Sequence, residues 1–476
     1  MPASPPPLDG RTRIVVVGSG WRFLSGISYY TCRLSNALAE RYEVGAILMR
    51  QLLPTRLYPG RARVGQQLNA LSYDPRVEVF DGIDWWGVPS LIRAVRFLRS
   101  FRPEVLVLQW WTGAVLHSYL VLCLAARALG IRVVVEFHEV QDTGEAQHKW
   151  AGLYCRKLIK LLLSRTDGVI VHSAFDRVAV RSTYDLTGVP DEIALHGPFD
   201  HHDSSAVPPA RRAADPTPTP TPQPTAAAPA PTPSSAPAFP SAPAPTPSSA
   251  PAFSTAPTPT PSSVSAPAAP SPHDQVRLLF FGTIRPYKGL EDLVEVFGRL
   301  PSHYTLTVVG ETWEGWTLPA AMIADSPAAD RITFVNRYVA DSEVDGFFAA
   351  ADVVVLPYRR SSASGPLHIA MSHGLPVVVT SVGGLVEAAS EYSGTTFVAA
   401  GSPSALGSAI VSASANAGRR HPDPSSWEKS VAAFTRLFAR MGVPVAVAPD
   451  LSASAQDAEI TASSNQTVPV FSPDLR

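Results

Sequence analysis

SGPLHIAMSHGLPVVVTSVGGLVE (Ser364–Glu387) carries a complete helix, strand and turn. Pro366 suits the first turn of a helix, where its missing N–H has no intrahelical partner to lose. The β-branched run that follows Pro376 reads as a strand covered on both faces, and Gly383 and Gly384 turn the chain after it. The same alternation recurs on both sides. Upstream lie LLFFG (Leu278–Gly282), the helix-like LEDLVEVFGRL, YTLTVVG (Tyr304–Gly310), ITFVN (Ile332–Asn336), the helix-like DSEVDGFFAA and DVVVLPY (Asp352–Tyr358). The first half offers RIVVVGSG (Arg13–Gly20), the helix-like SYYTCRLSNALAERY, VLVLQW (Val105–Trp110), VVVEFH (Val133–His138), the helical KLIKLLLSR and GVIVHS (Gly168–Ser173). Continuous apolar strands alternating with helices predict α/β architecture: two Rossmann-like, doubly wound parallel-sheet domains facing a cleft.

The 476 residues include 47 prolines, and 22 of these fall within 204–273, mostly among Ala, Ser and Thr. APAPTPSSAPAF occurs there twice, at Ala228–Phe239 and Ala242–Phe253. Such a stretch has little to bury and reads as a disordered, extended insertion, either a docking or spacing element or a tolerated surface loop. The expected organisation is a flexible N-terminus (1–10), a first α/β domain (11–203), the Pro-rich linker (204–273), a second α/β domain (274–441) ending in a helix at 426–441, and a flexible tail (442–476). Net charge is −1, which gives no basic footprint for nucleic acid. Cys32, Cys123 and Cys155 are odd in number and lack C-x-x-C spacing, against a disulfide framework or a structural zinc site. Met1–Gly10 is polar and proline-rich, unlike a signal peptide, and Gly113–Gly130 reads as a buried helix rather than a membrane span. A cytoplasmic protein is expected.

In open α/β sheets ligands bind beyond the carboxyl ends of the strands, so the loops there carry the chemistry. GTIRPYKG (Gly282–Gly289) brings Arg285 and Lys288 to a helix start and reads as a diphosphate loop or a solvated basic loop. SSASGPL (Ser361–Leu367) places Ser364 and Gly365 before a helix, ready for a phosphate or ribose. SVGG (Ser381–Gly384) followed by Glu387 is a third such loop. In the first half, the Gly18–Ser28 loop faces the same cleft. His138 ends a strand there, either as a donor or general base or as a histidine tied to backbone. The Trp110–Trp111 doublet suits sugar contact or plain packing. HEVQD is not a zincin motif, and no metal constellation appears. Arg93, Arg96, Arg99 and Arg102 recur every three residues beside Leu91, Ile92 and Val95, and Arg156, Lys157, Lys160 and Arg165 mark a second basic helix. These are solvated faces or a surface for anionic lipid.

The arrangement resembles a GT-B glycosyltransferase of the large retaining family 4. GTIRPYKGLEDLVEVF, LTVVGE, ITFVNRYV, FFAAADVVVLPY and the opening stretch carry the likeness, and SWEKSVAAFTRLFARM (Ser426–Met441) resembles the family's closing helix. The resemblance implies that Lys288 binds the donor diphosphate, with Gly282 in its loop and Arg285 replacing an arginine that the family has where Thr283 stands. Gly310 and Glu311 fall near the donor, Asn336 and Arg337 near the base, Gly26 near the phosphates, and Gly383, Gly384 and Glu387 in the last strand loop. His138 reaches toward the transferred sugar. Ser361 and Ile369 stand where many members carry two glutamates, and an isoleucine accepts no hydrogen bond from ribose.

The resemblance implies transfer of a sugar from a nucleotide diphosphate sugar to an unidentified acceptor (lipid, glycan or small molecule) with retention, with no catalytic metal or cofactor. His138 and Lys288 are the expected catalytic residues. A silent GT-B scaffold protein and a nucleotide-sugar epimerase are the alternatives. Peripheral association with the inner face of an anionic membrane is a further expectation.

Overall fold

The computed structural model describes residues 11–20, 26–51, 72–84, 87–139, 157–199, 275–313 and 315–445. The linker, residues 1–10, Cys155, Arg156, Asp142 and Glu145 lie outside them.

The first sheet contains β1 (Arg13–Ser19), β2 (Glu43–Gln51), β3 (Glu78–Asp84), β4 (Val105–Trp110), β5 (Arg132–Phe137), β6 (Gly168–Val171) and β7 (Asp191–Ile193). Their order is β3-β2-β1-β4-β5-β6-β7, all parallel. α1 (Gly26–Leu38), α2 (Val88–Phe101), α3 (Leu116–Ala128) and α4 (Ala174–Thr183) accompany it. The second sheet contains β8 (Val276–Phe281), β9 (Tyr304–Val309), β10 (Ile332–Val335), β11 (Val353–Leu356), β12 (Val377–Thr380) and β13 (Thr395–Val398), in the order β10-β9-β8-β11-β12-β13, again parallel. Its helices are α5 (Leu290–Phe297), α6 (Leu318–Ala324), α7 (Asp341–Ala350), α8 (Gly365–Ser372), α9 (Leu385–Ser390) and α10 (Pro403–Ser414). β1, β4, β11 and β12 are buried nearly throughout because helices cover both faces, which is why they read as unbroken apolar runs. Strand order reverses between β1 and β4 and again between β8 and β11. The crevices where ligands bind such sheets open at those two points.

The last helix, α11 (Trp427–Arg440), follows the second sheet in sequence but packs on the first. Trp427 donates its indole N–H to the Pro198 carbonyl at 3.2 Å, and Ser430 donates to Leu195 at 2.5 Å. Tyr42 and Thr435 pair through their hydroxyls at 2.7 Å. Phe434, Leu437 and Phe438 are fully buried beneath them. Ordered chain continues past 442, where a tail was expected: Val443 is buried and Thr12 donates to the Pro444 carbonyl. The apolar stretch after Gly113 is a short 3-10 turn followed by α3. No helix among the described residues is long and apolar enough to cross a membrane.

Candidate active site

Side chains from three segments meet at the carboxyl ends of β8 and β11. Lys288, in a 3-10 turn (Pro286–Lys288), is buried, and its Nζ donates to the Tyr358 hydroxyl at 2.8 Å. Burial pushes its pKa down, with Tyr287 opposing and Arg285 reinforcing the shift. Ser364 caps α8: its Oγ accepts the Leu367 N–H at 3.3 Å and lies 3.4 Å from the Tyr358 hydroxyl. A Cβ on Gly282 would stand 3.3 Å from Pro366 and 3.5 Å from the Lys288 Nζ. One ammonium and the first amides of α8 therefore face the same small space, an arrangement that attracts a phosphate-bearing ligand.

The neighbouring loops are braced by the other residues expected at the donor. Gly310 fits against β8 because a Cβ there would lie 1.9 Å from the Gly282 carbonyl. The Arg285 guanidinium stacks 4.5 Å from the Trp313 ring, whose indole N–H donates to Glu311 at 2.8 Å. Asn336 accepts from the Thr312 amide and hydroxyl, at 3.0 and 2.9 Å. Arg337 pairs with Glu343 at 2.5 Å, and Glu343 accepts the Ala340 N–H at the start of α7. Gly383 has φ +53°, and a Cβ there would collide with the Ser361 carbonyl at 1.9 Å. On Gly384 it would stand 2.1 Å from Ser362 O. Ile369 packs into the core, and Ser361 donates to the Ala363 carbonyl.

Glu387 reaches the other lobe. Its carboxylate accepts the amides of Ala174 at 2.5 Å and Phe175 at 2.9 Å, the first two residues of α4. Nearby, Asp176 is pushed up to about 6, chiefly by burial, against hydrogen bonds from Ser173 and Ser362.

On the first lobe, His138 lies among side chains that the sequence reading did not single out. Its ring packs 4.6 Å from Tyr30 and 4.5 Å from His172. His172 in turn lies 4.3 Å from His196. Glu136, one turn of the pleat behind His138, is fully buried and accepts hydrogen bonds from Tyr30 at 2.6 Å and Gln109 at 3.0 Å. Burial would raise this carboxyl, but His138, His172 and Tyr30 outweigh it and hold it below its ordinary value. Burial lowers His172 to about 3 and His368 to about 4, and drives His196 well down. His368, on α8, stacks 5.2 Å from His196, and Phe199 stacks on both. A Cβ on Gly26 or Gly365 would meet Phe199 at 4.0 and 3.9 Å, so this ring sits between the first residues of α1 and α8. Trp110 is core, while Trp111 is half-buried against Tyr119. Two signals could have exposed the cluster: His172 ends its strand as His138 does, and Glu136 interrupts an otherwise apolar strand.

Residues 275–416 match the family profile of group 1 glycosyl transferases, and residues 25–194 match that of a glycosyl transferase 4-like domain. A GDP-mannose:glycolipid 4-beta-D-mannosyltransferase of Xanthomonas campestris pv. campestris is 35% identical over 104 residues, 21% of this chain and 29% of that protein. A D-inositol 3-phosphate glycosyltransferase of Mycobacteroides abscessus is 33% identical over 115 residues, 24% and 26% of the two chains. The chain thus spans under a third of the length of these curated relatives. Among solved structures, sucrose-phosphate synthase from Thermosynechococcus elongatus aligns with TM-score 0.54 at 17% identity, over 91% of this chain and 98% of that one. The catalytic domain of starch synthase IV from Arabidopsis thaliana, bound to ADP and acarbose, aligns with TM-score 0.56 at 11% identity, over 91% and 99%.

Proposed function

Because the chain belongs to the GT-B glycosyltransferases of group 1, we propose that it moves a sugar from a nucleotide diphosphate sugar to an acceptor held by the first lobe, with retention of configuration. The observation that carries this reading is the buried Lys288 ammonium beside the capped start of α8. As the sugar–oxygen bond breaks, negative charge grows on the diphosphate. A preorganised cation and helix-start amides stabilise that charge more than they stabilise the intact donor. Arg285, fixed over Trp313, adds positive potential from the next loop. His138, buried after β5 in the first lobe, is the group proposed to contact the transferred sugar. Attack from the leaving-group face gives retention. The donor site needs no metal in this scheme, since Lys288 supplies the charge.

Calorimetric titration with GDP-mannose, UDP-glucose and ADP-glucose tests the donor site. One of them should bind, and Lys288→Met should weaken it by about 10-fold or more, the loss of one charge-assisted contact. No binding by any nucleotide sugar, or equal binding by the variant, refutes the assignment. Incubation of the bound donor with glycolipid, glycan and small polyol acceptors then tests transfer, and the anomeric proton coupling of the product tests retention.

The acceptor side is proposed to meet an anionic membrane through α2. Arg93, Arg96 and Arg99 are exposed there beside Val88 and Ile92, and α3, packed against α2, exposes Val121 and Leu124. Cationic and apolar side chains on one face suit a lipid interface. Flotation with phosphatidylglycerol vesicles should carry the protein upward at low salt and lose it on Arg93→Glu/Arg96→Glu. Failure to float with any anionic vesicle refutes it.

A further inference from the structure

The floor of the first lobe holds three buried histidines, of which the proposed donor chemistry uses only His138. His138 follows β5, His172 follows β6 and His196 follows β7. The parallel register pairs Glu136 with Ile170, which sets His138 beside His172 two residues on. One nitrogen from each of the three imidazoles lies within 4.8 Å of the other two. All three residues are buried, at 6%, 5% and 9% exposure. We propose that His138, His172 and His196 form a three-imidazole site for a divalent transition-metal ion of the zinc class.

The direction of the lone pairs supports the site. His172 Nδ1 lies 2.8 Å from the Ala194 carbonyl, a contact that requires its N–H. The tautomer is thereby fixed and Nε2 presents its lone pair to the cluster, the usual arrangement of a ligating histidine. Among the described residues, His138 Nε2, His172 Nε2 and both nitrogens of His196 have no hydrogen-bond partner. Buried polar atoms rarely stay unpaired, and several nitrogen lone pairs converging on one space call for a Lewis acid.

Charge supports it as well. Glu136 is fully buried, and its oxygens lie 3.8 Å from Nε2 of His138 and 3.8 Å from Nε2 of His172. Its hydrogen bonds come from Tyr30 and Gln109, both neutral donors. A dication among the rings would offset that carboxylate. The bracing continues outward: Thr31 donates to Gln109 at 2.5 Å, and Gly18 leaves room for the Gln109 amide, which a Cβ there would strike at 2.2 Å. Tyr30, Trp427, Phe199 and His368 wall the cluster with rings. An all-nitrogen donor set favours zinc, cobalt, nickel or copper over magnesium or calcium, which take oxygen. The histidines follow three separate strands, so no spacing motif announces the site.

The test is metal content of the full chain produced without a polyhistidine tag. After equilibration with Zn2+ and removal of excess, the wild type should retain about one zinc per chain. Its Co2+ form should show the intense visible bands of a tetrahedral ion. His172→Gln and His196→Gln should each lose both signals while keeping the wild-type circular dichroism. His303→Gln, at an exposed histidine, should lose neither. Should a variant fail to fold, competition between wild type and a chromophoric chelator decides: affinity for Zn2+ at or below about micromolar Kd supports the site. Absence of stoichiometric metal in the wild type, or equal retention by folded variants, overturns it. That result would assign the free nitrogens to water or to substrate hydroxyls.

Discussion

Glu387→Ala should loosen the closed cleft. The carboxylate holds the amides of Ala174 and Phe175 at 2.5 and 2.9 Å, so an acid from the second lobe caps a helix of the first. A negative charge at a helix N-terminus with direct hydrogen bonds is worth about 1–2 kcal/mol in a partly exposed setting. The lobes are also tied by the hydrogen bond between Ser362 and Asp176, by α11 on the first sheet and by the ring stack of His196, Phe199 and His368. Removing the clasp should therefore shift the closed-to-open ratio by roughly 5–30-fold without unfolding either lobe. Spin labels at Ser182, at the end of α4, and Ser408, on α10, would report the inter-lobe distance by pulsed dipolar spectroscopy. The variant should populate longer distances than the wild type. If the donor binds the closed form, its Kd should rise by up to the same factor. Glu387→Gln keeps an acceptor oxygen but no charge, and should fall between the two. An unchanged distance distribution together with an unchanged donor Kd would refute the clasp. Weaker donor binding with unchanged distances would return Glu387 to the donor contact that the family resemblance implies.

Gly310→Ala should cost about 1–3 kcal/mol and weaken donor binding, because the new Cβ would meet the Gly282 carbonyl at 1.9 Å and displace the loop carrying Lys288; a thermal melt and a donor titration check both. Gly197→Ala should push α11 from the first sheet, since its Cβ would lie 2.2 Å from the Trp427 ring, and hydrogen exchange across 427–440 should quicken. Asp341 is raised to about 6 by burial and by Asp345, so the native state holds its proton more tightly than the unfolded chain does. Stability should then fall as pH rises from about 4 to about 6, and Asp341→Asn should flatten that slope by roughly 1–2 kcal/mol after allowance for solvent screening; urea melts across the window measure it.

The fold was legible because its strands are buried on both faces. RIVVVGS, VLVLQW, VVVL and VVVT are apolar without alternation, and the glycines that end them are where the chain turns. Edge and neighbouring strands were harder. β3 is half-exposed, with glycine and two aspartates within EVFDGID, and β7 has three residues, so neither carries a run long enough to read. The loops proposed for the donor were legible as loops, since Lys288 and the Ser364 helix start follow strand ends in the sequence. Their partners were not: Tyr358, which receives the Lys288 proton donor, sits seventy residues away.

The residues proposed for the donor divide into two physical classes that sequence could not separate. Lys288 and Ser364 face the space between strand ends, whereas Asn336, Arg337, Gly383 and Gly384 hold the loops that frame it. The positions where two glutamates are expected resolve the same way: Ile369 fills core volume and Ser361 serves its own turn, so neither supplies a carboxylate. Under the proposed function, discrimination of the sugar and ribose hydroxyls falls to acceptors on other elements. On the first lobe, His196 is brought against α8 by the Phe199 and His368 rings. Because Glu387 on α9 holds the start of α4, closure, and hence the Glu387 clasp, is part of assembling the proposed site.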